Sequence, residues 1–437
     1  MRTRLFLFAL LGCLAGTAAA TPRIEHWTAP SGAQVYFVED HNLPMLDVAV
    51  NFPAGSAHDG ADKKGVAGLT HSLLDLGVQG MDEDEIARKL ADVGARIDSS
   101  FDADRSALSL RTLSMPAERD VALDILARVL QQPLFPAPVL AREKARVIAG
   151  LQEAETKPEF LAEKAFGKAV FGDHPYAWQA ETGDIERIQR DDLAAFYRGH
   201  YAARGAVVAL MGDISRKLAE DIAQQLTARL PRGDALATLP PVALRIAASE
   251  QRIPHPASQS HILIGAPGMA RNDPDYFPLY VGNYILGGGG FVSRLMDEVR
   301  EQRGMAYSVY SYFMPMQQTG AFQIGLQTKK EQVDEALQVV RKTVRDFVQQ
   351  GPTQDELRAA KQNIIGGFPL RIDSNRKILE YLSVIGFYGL PLTYLDDFQQ
   401  RVEQVTVQSI HEAFRRHIDP DALATVIVGA QDAGAGK

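Results

Sequence analysis

The chain has 437 residues, 46% of them hydrophobic and 23% charged, which suits two globular domains and exceeds what one hydrophobic core usually holds. Its formal net charge of −8, without a cluster of Lys and Arg, argues against binding to nucleic acid. Cys13 is the only cysteine, and no stretch after the first 20 residues is apolar for long enough to span a membrane. Neither disulfides nor a transmembrane segment is therefore expected in the body of the chain.

The first 20 residues have the pattern of a signal peptide. Two arginines precede an apolar run at residues 5–14, and three alanines follow at 18–20. This pattern predicts a signal peptide over residues 1–20, with cleavage after the last alanine and export to the periplasm or another extracytoplasmic compartment. A second interpretation stays open, because Leu-Leu-Gly-Cys at residues 10–13 resembles a lipoprotein box and would place a lipid anchor on Cys13.

The rest of the chain consists of two similar halves. We predict an N-terminal domain over residues 21–230, a linker over 231–250 and a C-terminal domain over 251–437, because a Pro-rich stretch without periodicity begins at 231. Each half begins with a strand and an apolar helix and closes with a strand followed by glycine. The corresponding elements are the strands 46–52 and 261–265, the helices 65–76 and 277–286, and the closing strands 207–211 and 424–428. The pattern predicts a duplicated domain of mixed α and β structure.

The helix predicted over residues 117–130 indicates how helices and sheet pack. Its apolar residues fall on one side, namely Val121, Ile125, Leu126 and Val129. A helix with such a stripe buries that side against a sheet and leaves the other side in water.

Residues 65–80 contain a His and an Asp four residues apart, in the run Thr-His-Ser-Leu-Leu-Asp. On a helix, His71 and Asp75 would share a face, and two ligands at this spacing can hold a metal ion. The pair alone is a weak signal, since a helical His–Asp hydrogen bond or a half-buried polar contact also explains it.

The same segment resembles the zinc site of the pitrilysin/insulinase family of zinc metallopeptidases, in which G-x-x-H-x-x-E-H is the inverted zinc motif. The resemblance covers nearly all of the chain after the predicted leader. It includes residues 42–44, 54–56, 172–176, 191–197, 212–213, 300–307 and 426–429. It implies an α+β fold, an α/β sandwich of two homologous domains, each a mostly antiparallel sheet with helices packed on one face.

In this chain the motif is degenerate. His71 matches the family's first zinc ligand, whereas Leu74 stands in place of the general-base glutamate and Asp75 in place of the second histidine. The third ligand, a glutamate, corresponds to Leu151 or Gln152, and the nearest carboxylate, Glu153, is out of register by one or two residues.

The degenerate motif lacks groups that zinc-dependent peptide hydrolysis requires. A catalytic zinc needs three protein ligands and an open position for water, and the water needs a base to take its proton. We therefore expect no zinc or other cofactor in this chain and no peptidase activity from the chain alone.

The second half keeps two residues that the resemblance makes functional. Arg300 and Tyr307 match, in their spacing of seven, an Arg/Tyr pair that in the family reaches the zinc site and holds the substrate carbonyl, with Gly304 in the turn between them. Both side chains can donate hydrogen bonds to a developing oxyanion. The alternative, that Arg300 is a surface charge and Tyr307 an ordinary strand residue, stays open. The preceding glycines 287–290 are expected to end a helix and to permit close backbone approach.

The strand predicted over residues 95–101 resembles the family's substrate-pairing strand, which would bind peptides by β-augmentation if it is a sheet edge. The remaining histidines are scattered, and His411 and His417 are expected to be solvated on a polar C-terminal helix.

The sequence therefore predicts a non-catalytic subunit of an exported, heterodimeric zinc peptidase. Its partner would be a zinc-containing catalytic subunit of the same fold, and its substrates would be peptides. A stand-alone extracytoplasmic peptide-binding or scaffold protein is the alternative, and a self-sufficient enzyme is disfavoured because the base is missing.

Overall fold

The structure, a computed structural model, describes residues 23–233, 238–244 and 246–429 and contains two β-sheets, one from each half of the chain. The predicted signal peptide and Cys13 lie outside these residues. The described part of the predicted linker, up to residue 248, contains neither a helix nor a strand. The exact domain boundaries stay a prediction.

The first sheet has six strands in the order β1-β2-β6-β3-β5-β4. Only β2 and β6 pair in parallel, and all other neighbours are antiparallel. The strands are β1 (Glu25–Thr28), β2 (Gln34–Glu39), β3 (Met45–Phe52), β4 (Arg96–Phe101), β5 (Ser106–Leu113) and β6 (Val207–Gly212).

The second sheet repeats this arrangement with five strands in the order β7-β11-β8-β10-β9. Here β7 and β11 are parallel, and the other pairs are antiparallel. The strands are β7 (Ser249–Ile253), β8 (Gln259–Pro267), β9 (Ala306–Phe313), β10 (Ala321–Lys329) and β11 (Ala424–Val428). The predicted fold class, two α+β domains with mostly antiparallel sheets, is confirmed.

Helices connect the strands and cover the sheets. In the first half they are α1 (Val66–Ser72), α2 (Glu83–Asp92), α3 (Pro116–Gln131), α4 (Ala137–Ala154), α5 (Pro158–Phe171), α6 (Thr182–Arg187), α7 (Arg190–His200) and α8 (Arg216–Thr227). In the second half they are α9 (Tyr276–Asn283), α10 (Val333–Gln350), α11 (Gln354–Gly367), α12 (Asn375–Tyr388), α13 (Tyr394–Gln404) and α14 (Val407–His417). None of the described helices is both long and apolar enough to cross a membrane.

Each sheet is covered on its second face by a helix from the other half. Along β6, Val208 and Leu210 pack into the core of the first half, whereas Ala209 and Met211 pack into the core of the second half, which includes α12. In return, Phe166 of α5 packs on the strands β8 and β11. Strands buried on both faces have nearly continuous apolar sequences, as β6 does. Helices were expected on one face only, as the resemblance implies. Nothing in the local sequence pattern shows which helix crosses to the other half.

Two local predictions were wrong. The helix predicted over residues 65–76 ends at Ser72, because the chain continues in tight turns that place Leu73 and Leu74 in the core. In α3, Val121 is exposed, and Ala122 and Leu123 are buried instead. Ile125, Leu126 and Val129 are buried, so the predicted stripe is confirmed at three of its four positions.

Candidate functional site

His71 lies in the last turn of α1, which brings it beside strand β5. Its Nδ1 is 2.7 Å from the hydroxyl oxygen of Ser106, which also accepts a hydrogen bond of 2.8 Å from the hydroxyl of the buried Tyr201. Its ring centre is 5.2 Å from that of Phe101 on β4. Burial lowers the pKa of His71 to about 4, so the side chain is neutral near pH 7. His71 is thus already engaged in a buried polar chain.

The residues around His71 do not complete a metal site. Leu74 is fully buried in the hydrophobic core of the first half. Asp75 lies in the turn after α1 rather than one helical turn beyond His71, which corrects the prediction of a shared helical face. Burial raises the pKa of Asp75, and the neighbouring carboxylates of Glu83 and Glu143 raise it further.

The helix that would supply the third ligand is α4. Gln152 on this helix is exposed, and Glu153 is exposed and forms a 2.6 Å ion pair with Lys157. The buried carboxylate of the helix is Glu143, which forms ion pairs with Arg142 and Arg146.

A three-ligand zinc site therefore does not fit this part of the structure. Among the described residues, the one group of three side chains close enough to share an ion is Asp273, Asp275 and His417, in the second half. No sequence pattern predicted that these three residues lie together. His417, which was predicted to be solvated, has only 17% of its side chain exposed. Arg416 donates two hydrogen bonds, of 2.9 and 2.8 Å, to Asp275 and neutralises it.

Arg300 and Tyr307 come together at the surface of the second half. The guanidinium carbon of Arg300 is 5.1 Å from the centre of the Tyr307 ring and 4.7 Å from that of Phe291. Tyr307, near the start of β9, is 83% exposed, and Phe291 is 68% exposed. No residue that the structure describes hydrogen-bonds the Tyr307 hydroxyl, which leaves it free to donate to a ligand.

The backbone around Arg300 and Tyr307 is irregular, and this irregular backbone determines where the two side chains lie. Two segments are π-helical, Tyr284–Gly288 and Met296–Glu301. The first contains the glycines 287 and 288, and the second carries Arg300. A Cβ at Gly287 would lie 2.7 Å from the backbone nitrogen of Ser311, so glycine is needed for close approach to β9. Gly304 has a φ of +62° in the turn before Tyr307. Such π-helical turns are frequent at functional sites.

Tyr307 also borders a cavity of about 290 Å³ between the two halves of the chain. Two glutamates of α5, Glu159 and Glu163, line its wall, and His261 and Tyr310 of the second sheet lie opposite. Within the described residues, no hydrogen bond, ion pair or ring contact joins Arg300 or Tyr307 to His71 or Asp75. The structure thus brings the Arg/Tyr pair together but does not place it on the degenerate zinc site of the same chain.

Strand β4 is a terminal strand of the first sheet and pairs only with β5 among the described strands. Most of its side chains are exposed, and a cavity of about 410 Å³ lies beside it. The buried Asp47 borders this cavity and accepts hydrogen bonds of 2.7 and 3.1 Å from Arg111. The open backbone edge can accept a further strand by β-augmentation.

The fold and this site define a two-domain, peptidase-like protein that keeps one histidine of the zinc motif and has other residues at the remaining ligand positions and at the base. Two family models match it, one described as insulinase (peptidase family M16) over residues 34–181 and one described as peptidase M16 inactive domain over residues 187–364. The crystal structure of a peptidase M16 inactive domain from Pseudomonas fluorescens is 40% identical in sequence, with a TM-score of 0.91. The similarity covers 94% of this chain and 98% of that one.

Other comparisons agree. The non-peptidase homolog YmxG of Helicobacter pylori is 28% identical over 403 residues, which cover 90% of this chain and 91% of that protein. A protease structure from Helicobacter pylori, 18% identical with a TM-score of 0.84, has the same fold and covers 93% of this chain and all of that one. The chain belongs to peptidase family M16, the insulinase family, which confirms the resemblance, and its relatives include members named as inactive.

Proposed function

We propose that this chain is the non-catalytic subunit of an exported, heterodimeric zinc peptidase of this family. Its partner would be a catalytic subunit of the same fold that holds the zinc, and its substrates would be peptides. In the pair, Arg300 and Tyr307 would act in trans, at the partner's zinc site, by donating hydrogen bonds to the oxyanion that forms on the scissile carbonyl.

The observation that carries the proposal is the contrast between the two halves. In the first half, Leu74 is core and His71 is committed to Ser106. In the second half, Arg300 and Tyr307 stay paired at the surface, and the Tyr307 hydroxyl has no partner among the described residues. Tyr307 is exposed, and Arg300 is half-buried beside it, with its Nε 3.5 Å from Glu301. A surface donor pair with no zinc site of its own is what a trans-acting subunit requires. The similarity to a protein named a non-peptidase homolog supports the same assignment.

The test is steady-state kinetics on the pair reconstituted with a family member that has an intact H-x-x-E-H motif. Tyr307→Phe removes only the hydroxyl, and we expect it to lower kcat by ~10²–10³ with little change in KM, because the interaction is stronger in the transition state. Arg300→Lys keeps the charge but loses the planar fork, and it should not restore the full rate.

Tyr312→Phe on the same strand, outside the residues that line the cavity beside Tyr307, is the matched control and should leave kcat unchanged. Gel filtration establishes that each variant still forms the pair. If Tyr307→Phe and Arg300→Ala form the pair and cleave at wild-type rates, this chain only encloses the substrate and contributes no catalytic group. Turnover by this chain alone that His71→Ala abolishes would overturn the proposal altogether.

The stand-alone peptide-binding function remains the second candidate because β4 is an open edge beside a cavity. It predicts peptide binding by the purified chain without any partner. Proline substituted at Ser99, in the middle of β4, should weaken such binding by removing a backbone donor. Tyr307→Phe should have no effect on it, which separates the two functions.

A further inference from the structure

A third cavity, of about 450 Å³, lies among helices of the second half, and neither Arg300 nor Tyr307 lines it. It is open to solvent and bordered by α9, α12, α13 and the turn before α12. Its walls are rich in aromatic and basic side chains, namely Arg271, Tyr276, Tyr280, Leu370, Arg371, Lys377, Glu380, Tyr381, Val384, Tyr394 and Phe398. This size is within the range of cavities that hold small ligands.

Two guanidinium groups of this cavity lack an acidic partner. Neither Arg271 nor Arg371 forms an ion pair with a carboxylate in the part of the chain that the structure describes. Arg371 is exposed, and its guanidinium lies beside the hydroxyls of Tyr280 and Tyr381. The Nε of Arg271 is buried and has no hydrogen-bond partner among the described groups. A buried cationic donor without a partner is costly, so an anion bound by Arg271, with Arg371 beside it, would stabilise this arrangement.

The other charged groups of the cavity already have partners. Lys377 forms a 2.9 Å ion pair with Asp373 and donates to the carbonyl of Leu370 at 2.7 Å. Glu380 accepts a hydrogen bond of 3.3 Å from Arg376. Arg271 and Arg371 are therefore the cationic groups of the cavity that are left for an anion. Guanidinium groups also match the planar geometry of a carboxylate.

The walls favour a ligand with an apolar body beside its carboxylate. The rings of Tyr276 and Tyr280 stack with centroids 6.1 Å apart and an angle of 8°, and Phe398 and Leu370 add apolar surface. Glu380 accepts from Arg376 through Oε1, and its Oε2 has no hydrogen-bond partner among the described residues. That oxygen can accept a hydrogen bond from an amide N–H of the ligand, which a simple fatty or aromatic acid lacks.

We propose that this cavity binds the C-terminal residue of a short peptide, with its free carboxylate on Arg271 and Arg371 and an apolar or aromatic side chain against the tyrosines. The inference does not depend on catalysis or on a partner subunit. Neither Arg300 nor Tyr307 lines this site, and it shares only Glu380 and Val384 with the cavity beside β4.

Isothermal titration calorimetry on the purified chain tests the proposal with N-acetyl-Ala-Phe as the probe. We expect the free acid to bind and its C-terminal amide to bind at least ~10-fold more weakly, because the amide cannot form charge-assisted hydrogen bonds with the guanidinium groups. This comparison needs no variant and so cannot be confused with misfolding. Inorganic phosphate should not displace the acid.

Substitutions at the two arginines test whether the acid binds in this cavity. Arg371→Gln and Arg271→Gln should each weaken binding of the acid by about tenfold or more, whereas Arg345→Gln, which removes an exposed arginine paired with Asp421, should not. Equal affinity for acid and amide, displacement by phosphate, or no binding of the acid at millimolar concentration would overturn the proposal. An equal loss in Arg345→Gln would do the same.

Discussion

At the residue scale, the positions of the degenerate zinc motif are occupied by residues with structural roles. Leu74 contributes to the core, His71 joins a buried hydrogen-bonded chain with Ser106, and Glu153 is paired with Lys157 on the surface. Restoring a single zinc ligand would therefore not restore the site, because each position now has other partners.

The metal content of the purified chain is the direct check of this view. We expect far less than one zinc per chain after gel filtration, because His71 and Asp75 have no third ligand in reach among the described residues. Plasma emission spectroscopy of the native chain and of His71→Ala provides the measurement. A zinc content near one per chain that disappears in His71→Ala would contradict the expectation.

The buried histidines are expected to make the folded chain less stable in acid. The pKa of His71 is about 4 in the folded chain against an ordinary value of 6.5, because burial disfavours its charged form. Between these pH values the unfolded chain binds more protons, so stability falls as the pH falls, by up to ~3 kcal/mol for this one group. His58, with a folded pKa also of about 4, acts in the same direction.

A variant isolates the contribution of His71. His71→Gln keeps a hydrogen-bonding partner for Ser106 and does not titrate, so its Tm should fall less between about pH 7 and pH 4.5 than that of the native chain. Asp59, whose pKa burial raises to about 6, has the opposite sign in this window and is present in both proteins. Parallel Tm profiles for the two proteins would refute the assignment.

At the element scale, α12 determines how the halves join, since it is a helix of the second half packed on the first sheet. The approach is close at Gly386, where a Cβ would lie 2.5 Å from Val207 and 2.7 Å from Tyr36. Both neighbours belong to strands of the first half and are buried. Glycine is needed here for packing and not for backbone conformation.

This close approach predicts opposite effects of the same substitution at two helical glycines. Gly386→Ala should destabilise the chain by ~1–3 kcal/mol, because neither a β-branched residue nor a tyrosine ring in a core moves readily. Gly366→Ala on α11, where a Cβ meets nothing within 4 Å, should be neutral or stabilise by up to ~1 kcal/mol. Urea denaturation of the two variants measures the difference, and equal effects would contradict the packing argument.

At the scale of the whole molecule, Asp104 joins the two halves at one buried carboxylate. It follows β4 in the first half and accepts hydrogen bonds from the Tyr176 hydroxyl at 2.6 Å, the Gln317 backbone N–H at 2.7 Å and the Tyr388 hydroxyl at 3.0 Å. Gln317 and Tyr388 belong to the second half. Burial raises the pKa of Asp104, and the three donors oppose that shift.

Removing this carboxylate should loosen the halves as well as destabilise them. We expect Asp104→Ala to cost about 3 kcal/mol or more, because it leaves buried donors without an acceptor. Hydrogen exchange should increase in α12 and in the loop around Gln317. The control is Asp120→Ala, which removes an exposed carboxylate paired with the neighbouring Arg119. Unchanged exchange in α12 would show that the apolar contacts alone hold the halves together.

The sequence by itself determined the repeat, the fold class and the loss of the motif, because these depend on local periodicity and on residue identity at fixed spacing. The strands predicted at 46–52, 207–211 and 424–428 lie within β3, β6 and β11. Only the tertiary structure decided that α1 ends at Ser72 and that α5 and α12 cross to the opposite sheets. It also decided that Arg271 and Arg371 share a cavity. These features depend on contacts between residues far apart in the chain, where burial outweighs local propensity, and local patterns carry no record of such contacts.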